Sequence, residues 1–124
     1  EAKDGFVVFG ACNPDVPGAI MSDALLSRFS VHVEMTTDWS IAKTLGITAK
    51  LIQVARNLQI KRENGQITAA PQLRELIAFK KVSEIYGEKI ALDNFISQAR
   101  PEDRTIYVEA VNSVFAAAPT ALKF

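Results

Sequence analysis

Three side chains stand where the chain can bring a polar group to a reacting centre: Asn13, Arg28 and Arg74. Asn13 follows an apolar run at 6–11 and precedes Pro14. An uncharged amide at the end of such a run can orient an attacking water, or touch a terminal phosphate, without repelling it. The same Asn-Pro pair also makes an ordinary turn, because the proline ring keeps the residue before it out of the helical region. Arg28 closes the stretch Ala-Leu-Leu-Ser-Arg and is followed by Phe29. A guanidinium there can stabilise charge developing on a transferred phosphoryl group. It can equally be a solvated cation at a helix end, where positive charge is favoured. Arg74 falls one turn into a helix beside Glu75, where its residues alone read as a surface charge near an acid.

Other reactive types offer less. His32 alternates with Val31 and Val33 and shares a strand face with Glu34, and two ligands without a third make a poor zinc site. Cys12 has no general base placed by sequence to activate it and reads as small core packing. With a single histidine in the chain, no Ser-His-Asp arrangement can be argued. Lys61-Arg62 and Lys80-Lys81 read as solvated helix faces, and Trp39 and Phe79 as core or interface. No Gly-x-x-x-x-Gly-Lys-Ser/Thr occurs, and no paired acids follow an apolar strand. The backbone cradle for a triphosphate and its magnesium site are therefore absent from these residues.

The elements that must hold these groups follow in chain order. The run 6–11 is rich in β-branched and aromatic residues and reads as a buried strand. Turns follow at Asn13-Pro14 and Pro17-Gly18. Ser22 caps a short helix, 23–27, with Leu25 and Leu26 inward, and 30–35 is a second strand. Strand character gives way to helix at 36–38. Thr37 or Asp38 caps a helix at 39–45, with Trp39 and Ala42 on one side, stopping at Gly46. Thr48 caps a longer helix whose Leu51, Val54, Ala55 and Leu58 recur at helical spacing, with Arg56, Lys61, Arg62 and Glu63 facing away. Asn64-Gly65 ends it, and 66–70 is a connector with Ile67 tucked in. Pro71 suits the first turn of the next helix, for which Ala70 is a poor cap. That helix carries Leu73, Leu76, Ile77, Phe79 and Val82 and stops at Gly87. A further helix, 88–98, offers Ile90, Ala91, Phe95 and Ile96 to the core. Pro101, Glu102 and Asp103 open the last one, which carries Ile106, Val108, Val111, Val114 and Phe115. Residues 116–124, broken by Pro119, should fray.

Composition bounds the class. In 124 residues, 48% hydrophobic and 23% charged, there is material for one globular domain or a piece of one. Fourteen basic side chains cancel fourteen acidic ones, so no net basicity points to nucleic acid. The lone Cys12 can make no internal disulfide, which suits a reducing interior. No apolar run approaches the ~20 residues a bilayer requires, and no signal peptide pattern is present. A strand that begins so soon after Glu1 reads as part of an excised fragment.

Taken together, the run 6–11, Asn13-Pro14, Pro17-Gly18 and Arg28-Phe29 resemble the part of AAA+ ATPases that runs from sensor 1 to the arginine finger, in particular the MoxR-like branch. Ala-Pro-Gln-Leu-Arg-Glu-Leu-Ile-Ala-Phe, 70–79, looks like the sensor 2 helix of that family and carries the resemblance to about residue 115. The fold it implies is mainly α with a small α/β remnant, the carboxyl-terminal part of a P-loop AAA+ module. Residues 1–37 would be the remnant of the nucleotide-binding subdomain, with two short strands, and 38–124 a helical lid. Asn13 takes the sensor 1 role, and Arg28 that of a finger acting on the neighbouring subunit's nucleotide. Arg74 takes the sensor 2 role, though the family's small-residue-Pro-Arg order is altered here to Pro71-Gln72-Leu73-Arg74.

The resemblance further implies a cytoplasmic ATP-hydrolysing remodeller or chaperone. The complete protein would bind ATP and Mg through Walker A and B elements upstream of Glu1, form a ring, as a hexamer, and act on a protein client. Neither membrane nor nucleic acid is implied as a partner. The fragment alone is expected to bind no nucleotide and to hydrolyse none. Its two strands have lost the central neighbour that such a sheet places between them, so they should close on each other or pair with a second copy. Residues 38–115 should be the stable body. The competing expectation is a stand-alone helical protein-interaction module without nucleotide chemistry.

Overall fold

Side-chain caps and left-handed glycines decide where the helices begin and end. The computed structural model describes residues 2–12, 21–35, 37–116 and 121–122. Among them are α1 (Asp23–Leu26), α2 (Trp39–Thr44), α3 (Ala49–Glu63), α4 (Leu73–Tyr86), α5 (Glu88–Gln98) and α6 (Arg104–Phe115), the last entered through a 3-10 turn, Pro101–Asp103. Ser22, Asp38 and Thr48 each accept a hydrogen bond from a free amide at the start of α1, α2 and α3. Two bonds from Ser40, the larger through its side chain, hold the Asp38 carboxyl below its ordinary range.

Helices α2 and α3 stop in the same way. After α2, Gly46 takes φ +72° and its amide bonds Lys43 O while that of Ile47 bonds Ala42 O. After α3, Gly65 takes φ +71° and the pair Gly65 to Arg62 and Gln66 to Lys61 repeats the pattern. Both are Schellman closures, which use a residue without Cβ to satisfy the last carbonyls. The entry to α4 differs from expectation. Its N-cap is Gln72, and the Glu75 carboxylate reaches back to accept from the Gln72 amide at 2.9 Å. Pro71 stands buried just outside the helix rather than in its first turn.

The chain divides into two units, Glu1–Met35 and Thr36–Phe124. In the second, α4 packs on α5, α3 on α6 and α5 on α6, with α2 against α3 and α4. Leu51, Val54, Leu58, Leu76, Phe95, Ile96 and Val111 are fully buried between them. The rings of Phe79 and Phe95 meet edge to face at 6.1 Å, and Phe95 meets Tyr107 at 5.6 Å. Polar ties fix the connector between α3 and α4 to the start of α6. Buried Asp103 accepts from the Thr68 amide and from its hydroxyl at 2.7 Å, and the Tyr107 hydroxyl donates to Ala69 O at 3.0 Å. Ile67 is buried there, as its place in the connector implies.

Two expectations about packing need correction. Ile90 is 44% exposed, and the buried stripe of α5 is Ala91, Leu92, Phe95 and Ile96. Ala91, Phe95 and Ile96 are buried as expected, and Leu92, two positions on from Ile90, completes the apolar face and leaves Ile90 on its flank. In the first unit, α1 ends at Leu26, and Leu25 is exposed rather than inward. The larger difference concerns the strands. No strand occurs among the described residues, so neither 6–11 nor 30–35 carries a ladder. Phe6, Val7, Val8 and Phe9 are all mostly exposed, Phe9 at 92%, and so are Val31, Val33 and Met35. An extended run becomes a strand only through a neighbour that takes its amides and carbonyls, and these stretches do not take each other. What is observed is a mainly helical chain.

Candidate functional site

Arg28 sits on the turn that follows α1. Its own amide donates to Leu25 O at 3.1 Å and that of Phe29 to Leu26 O at 3.0 Å, so the backbone leaves the helix in tight, bonded steps. Ser27 adds a hydroxyl bond to Ala24 O. His32 then folds back on this turn. Its Nε2 lies 3.0 Å from Leu26 O and 3.0 Å from Phe29 O. Both partners are carbonyls, which only accept, so the proton sits on Nε2 and is shared between them. The carbonyls on either side of Ser27-Arg28 are thus held by one imidazole.

Phe29 anchors the turn a second way. A Cβ built at Gly10 would stand 3.2 Å from the Phe29 ring, closer than such contacts usually run. Gly10 therefore leaves the space that the ring fills. The contact joins the turn carrying Arg28 to the apolar run that leads toward Asn13. Asn13 itself, with Pro14, Pro17 and Gly18, lies outside the described residues. Arg28 is exposed, and its guanidinium has no ion pair or hydrogen bond among the described residues. A cation so placed is free to meet an anionic group brought from outside.

Arg74 belongs to the second unit, at the second position of α4, and is exposed. The neighbouring acid does not neutralise it. Glu75 is spent on the cap of its own helix, and side chains adjacent in sequence point away from each other on a helix. Arg74 likewise has no ion pair among the described residues.

Several residues set aside as structural behave otherwise than expected. Cys12 is exposed rather than packed in a core. His32 does not share a strand face with Glu34, since no strand forms; it closes the end of α1 instead. A histidine a few residues beyond a short helix was the signal, because His is one of the side chains that bonds terminal carbonyls. Lys80 is not simply solvated. It donates to Leu45 O at 2.9 Å, tying α4 to the end of α2, and lies 3.8 Å from Glu84. Phe79 is buried and Trp39 packs against the core, as expected.

No group of three or more potential metal ligands occurs among the described residues. An open groove of about 410 Å3 runs between α3 and α6, lined by residues such as Asn57, Lys61, Glu109 and Ser113, and Arg74 is not part of it. Among the described residues no helix is long and apolar enough to cross a membrane. The chain matches no family model, no curated protein and no solved structure.

Proposed function

We propose that this chain is the carboxyl-terminal part of an ATP-hydrolysing AAA+ remodelling ATPase of the MoxR-like kind, with Arg28 as the finger, Asn13 as sensor 1 and Arg74 as sensor 2. One observation carries the reading: Arg28 is exposed and unpaired among the described residues, on a turn bonded at every step. A structural arginine is commonly tied to a partner, whereas a finger must stay free until the neighbouring subunit's nucleotide arrives. Arg74 supports it, being exposed with its adjacent acid already engaged. ATP and Mg would be held by elements preceding these residues in the complete protein, and the client would be a protein. The cytoplasm is the compartment such a machine occupies.

The test uses the complete protein with its upstream segment. Arg28→Ala is expected to cut ATP turnover by about a thousandfold, as a lost finger does, with nucleotide binding intact. Mixing these subunits with others defective in the phosphate loop should restore part of the activity, because a finger acts across an interface. Equal loss of binding and turnover, or no rescue on mixing, would count against the finger. A start codon at the beginning of this chain, with no phosphate loop encoded ahead of it, would sink the reading altogether.

The second reading, a helical protein-interaction module without nucleotide chemistry, draws on Ile85, Tyr86 and Ile90. All three are exposed around the corner between α4 and α5. Exposed apolar side chains gathered at one corner suit a protein partner. Loss of partner binding on Tyr86→Ala in a protein with no ATP turnover would favour it.

A further inference from the structure

We propose that His32 is the positioning residue of Arg28. Its Nε2–H clamps the carbonyls of Leu26 and Phe29, and these bracket the arginine. Helix α1 has only four residues, too few to define a rigid terminus by its own hydrogen bonds. Without the imidazole, nothing among the described residues would bond Phe29 O, and Arg28 and Phe29 would be tied back to α1 only by their own amides, at 3.1 and 3.0 Å. A side chain that reaches back across six residues to one carbonyl and three to the other converts that loose end into a closed ring. The Phe29 ring, seated in the space left by Gly10, fixes the other side. Arg28 is then the one residue of the turn whose side chain is left unengaged.

Positioning of this kind has kinetic consequences, since displacement of a reacting group by about 1 Å costs on the order of a hundredfold in rate. That consequence rests on Arg28 being the finger; the clamp itself does not. The tests separate the two. In the full chain, nitrogen NMR of His32 should show the proton on Nε2. The backbone amides of Arg28 and Phe29 should become more mobile on the nanosecond scale in His32→Phe, which keeps the ring and loses the donor. His32→Gln, which retains an N–H donor on a flexible stem, should recover most of the order. A proton on Nδ1, or unchanged mobility in His32→Phe, overturns the clamp.

In the complete protein, His32→Phe should lower kcat about ten- to hundredfold and leave KM for ATP within about twofold, with partial rescue by His32→Gln. Added to Arg28→Ala, His32→Phe should cost nothing more, because it acts only through that arginine. Additive losses, or equal defects in His32→Phe and His32→Gln, overturn the positioning role. If Arg28→Ala leaves turnover unchanged while the NMR signatures hold, the finger reading fails and the clamp stands.

Discussion

Burial pushes the Tyr107 phenol far above its ordinary range, and the negative charges of Asp103 and then Glu75 push it further. The consequence for stability follows from linkage. Below the ordinary tyrosine value of about 10 the phenol is protonated in both states and contributes fully. Above it, the unfolded chain loses the proton while the folded chain keeps it, so stability falls as pH rises. Tyr107→Phe should cost about 1 kcal/mol near neutrality, the net worth of the bond to Ala69 O. It should also remove the alkaline slope that this group supplies. Urea unfolding of both chains, at neutral pH and above pH 10, checks this: the gap should narrow as pH rises, and parallel curves would count against it. Other residues of the chain were less easily read. The types of Arg28 and Arg74 mark them as candidates, and both are exposed. What the sequence did not disclose was who holds Arg28, because the clamp from His32 forms only once α1 has ended at Leu26.

At the scale of elements, the joint between α4 and α5 is a single residue. Gly87 lies at φ 89°, ψ 162°, a conformation essentially closed to residues that carry a Cβ, and nothing crowds the space around it. Gly87→Ala should therefore destabilise by about 1–3 kcal/mol through backbone strain alone. Thermal unfolding would reveal it, and a neutral substitution would mean that the corner tolerates another conformation. The helices themselves were legible because their signals are local. Thr48 and Asp38 are short polar caps, Gly46 and Gly65 are left-handed stops, and the α3 stripe repeats at helical spacing. The start of α4 lies beyond Pro71, at Leu73, because Gln72 caps it with the help of Glu75 three residues on. In α5 the expected Ala91, Phe95 and Ile96 are buried, but Leu92 takes the place given to Ile90; the two are equally apolar, and only packing against α4 and α6 chooses between them.

For the whole molecule, the division at Met35 and Thr36 decides what holds together. The stretches 6–11 and 30–35 are exposed and carry no ladder, since a six-residue apolar run announces burial without naming the neighbour that provides it. By contrast, the buried apolar side chains run from Ala42 to Val111 and pack on one another within the second unit. Removing residues 1–35 therefore deletes no buried apolar side chain among those described. The shortened chain should keep its helical circular dichroism and unfold in urea within about 0.5 kcal/mol of the full chain, as changes away from a core generally do. It should also bind less of an apolar dye, since Phe6, Val7, Phe9, Val31, Val33 and Met35 go with the deleted part. Hydrogen exchange supplies the complementary view. Amides of α3 to α6 should be protected up to the global stability, while those of 6–11, which have no ladder, exchange near the unfolded rate. Protection of 6–11 equal to that of the helices, at every protein concentration, would show that the run has an internal strand partner after all. Protection that grows with concentration would mean instead that a second copy supplies the missing neighbour.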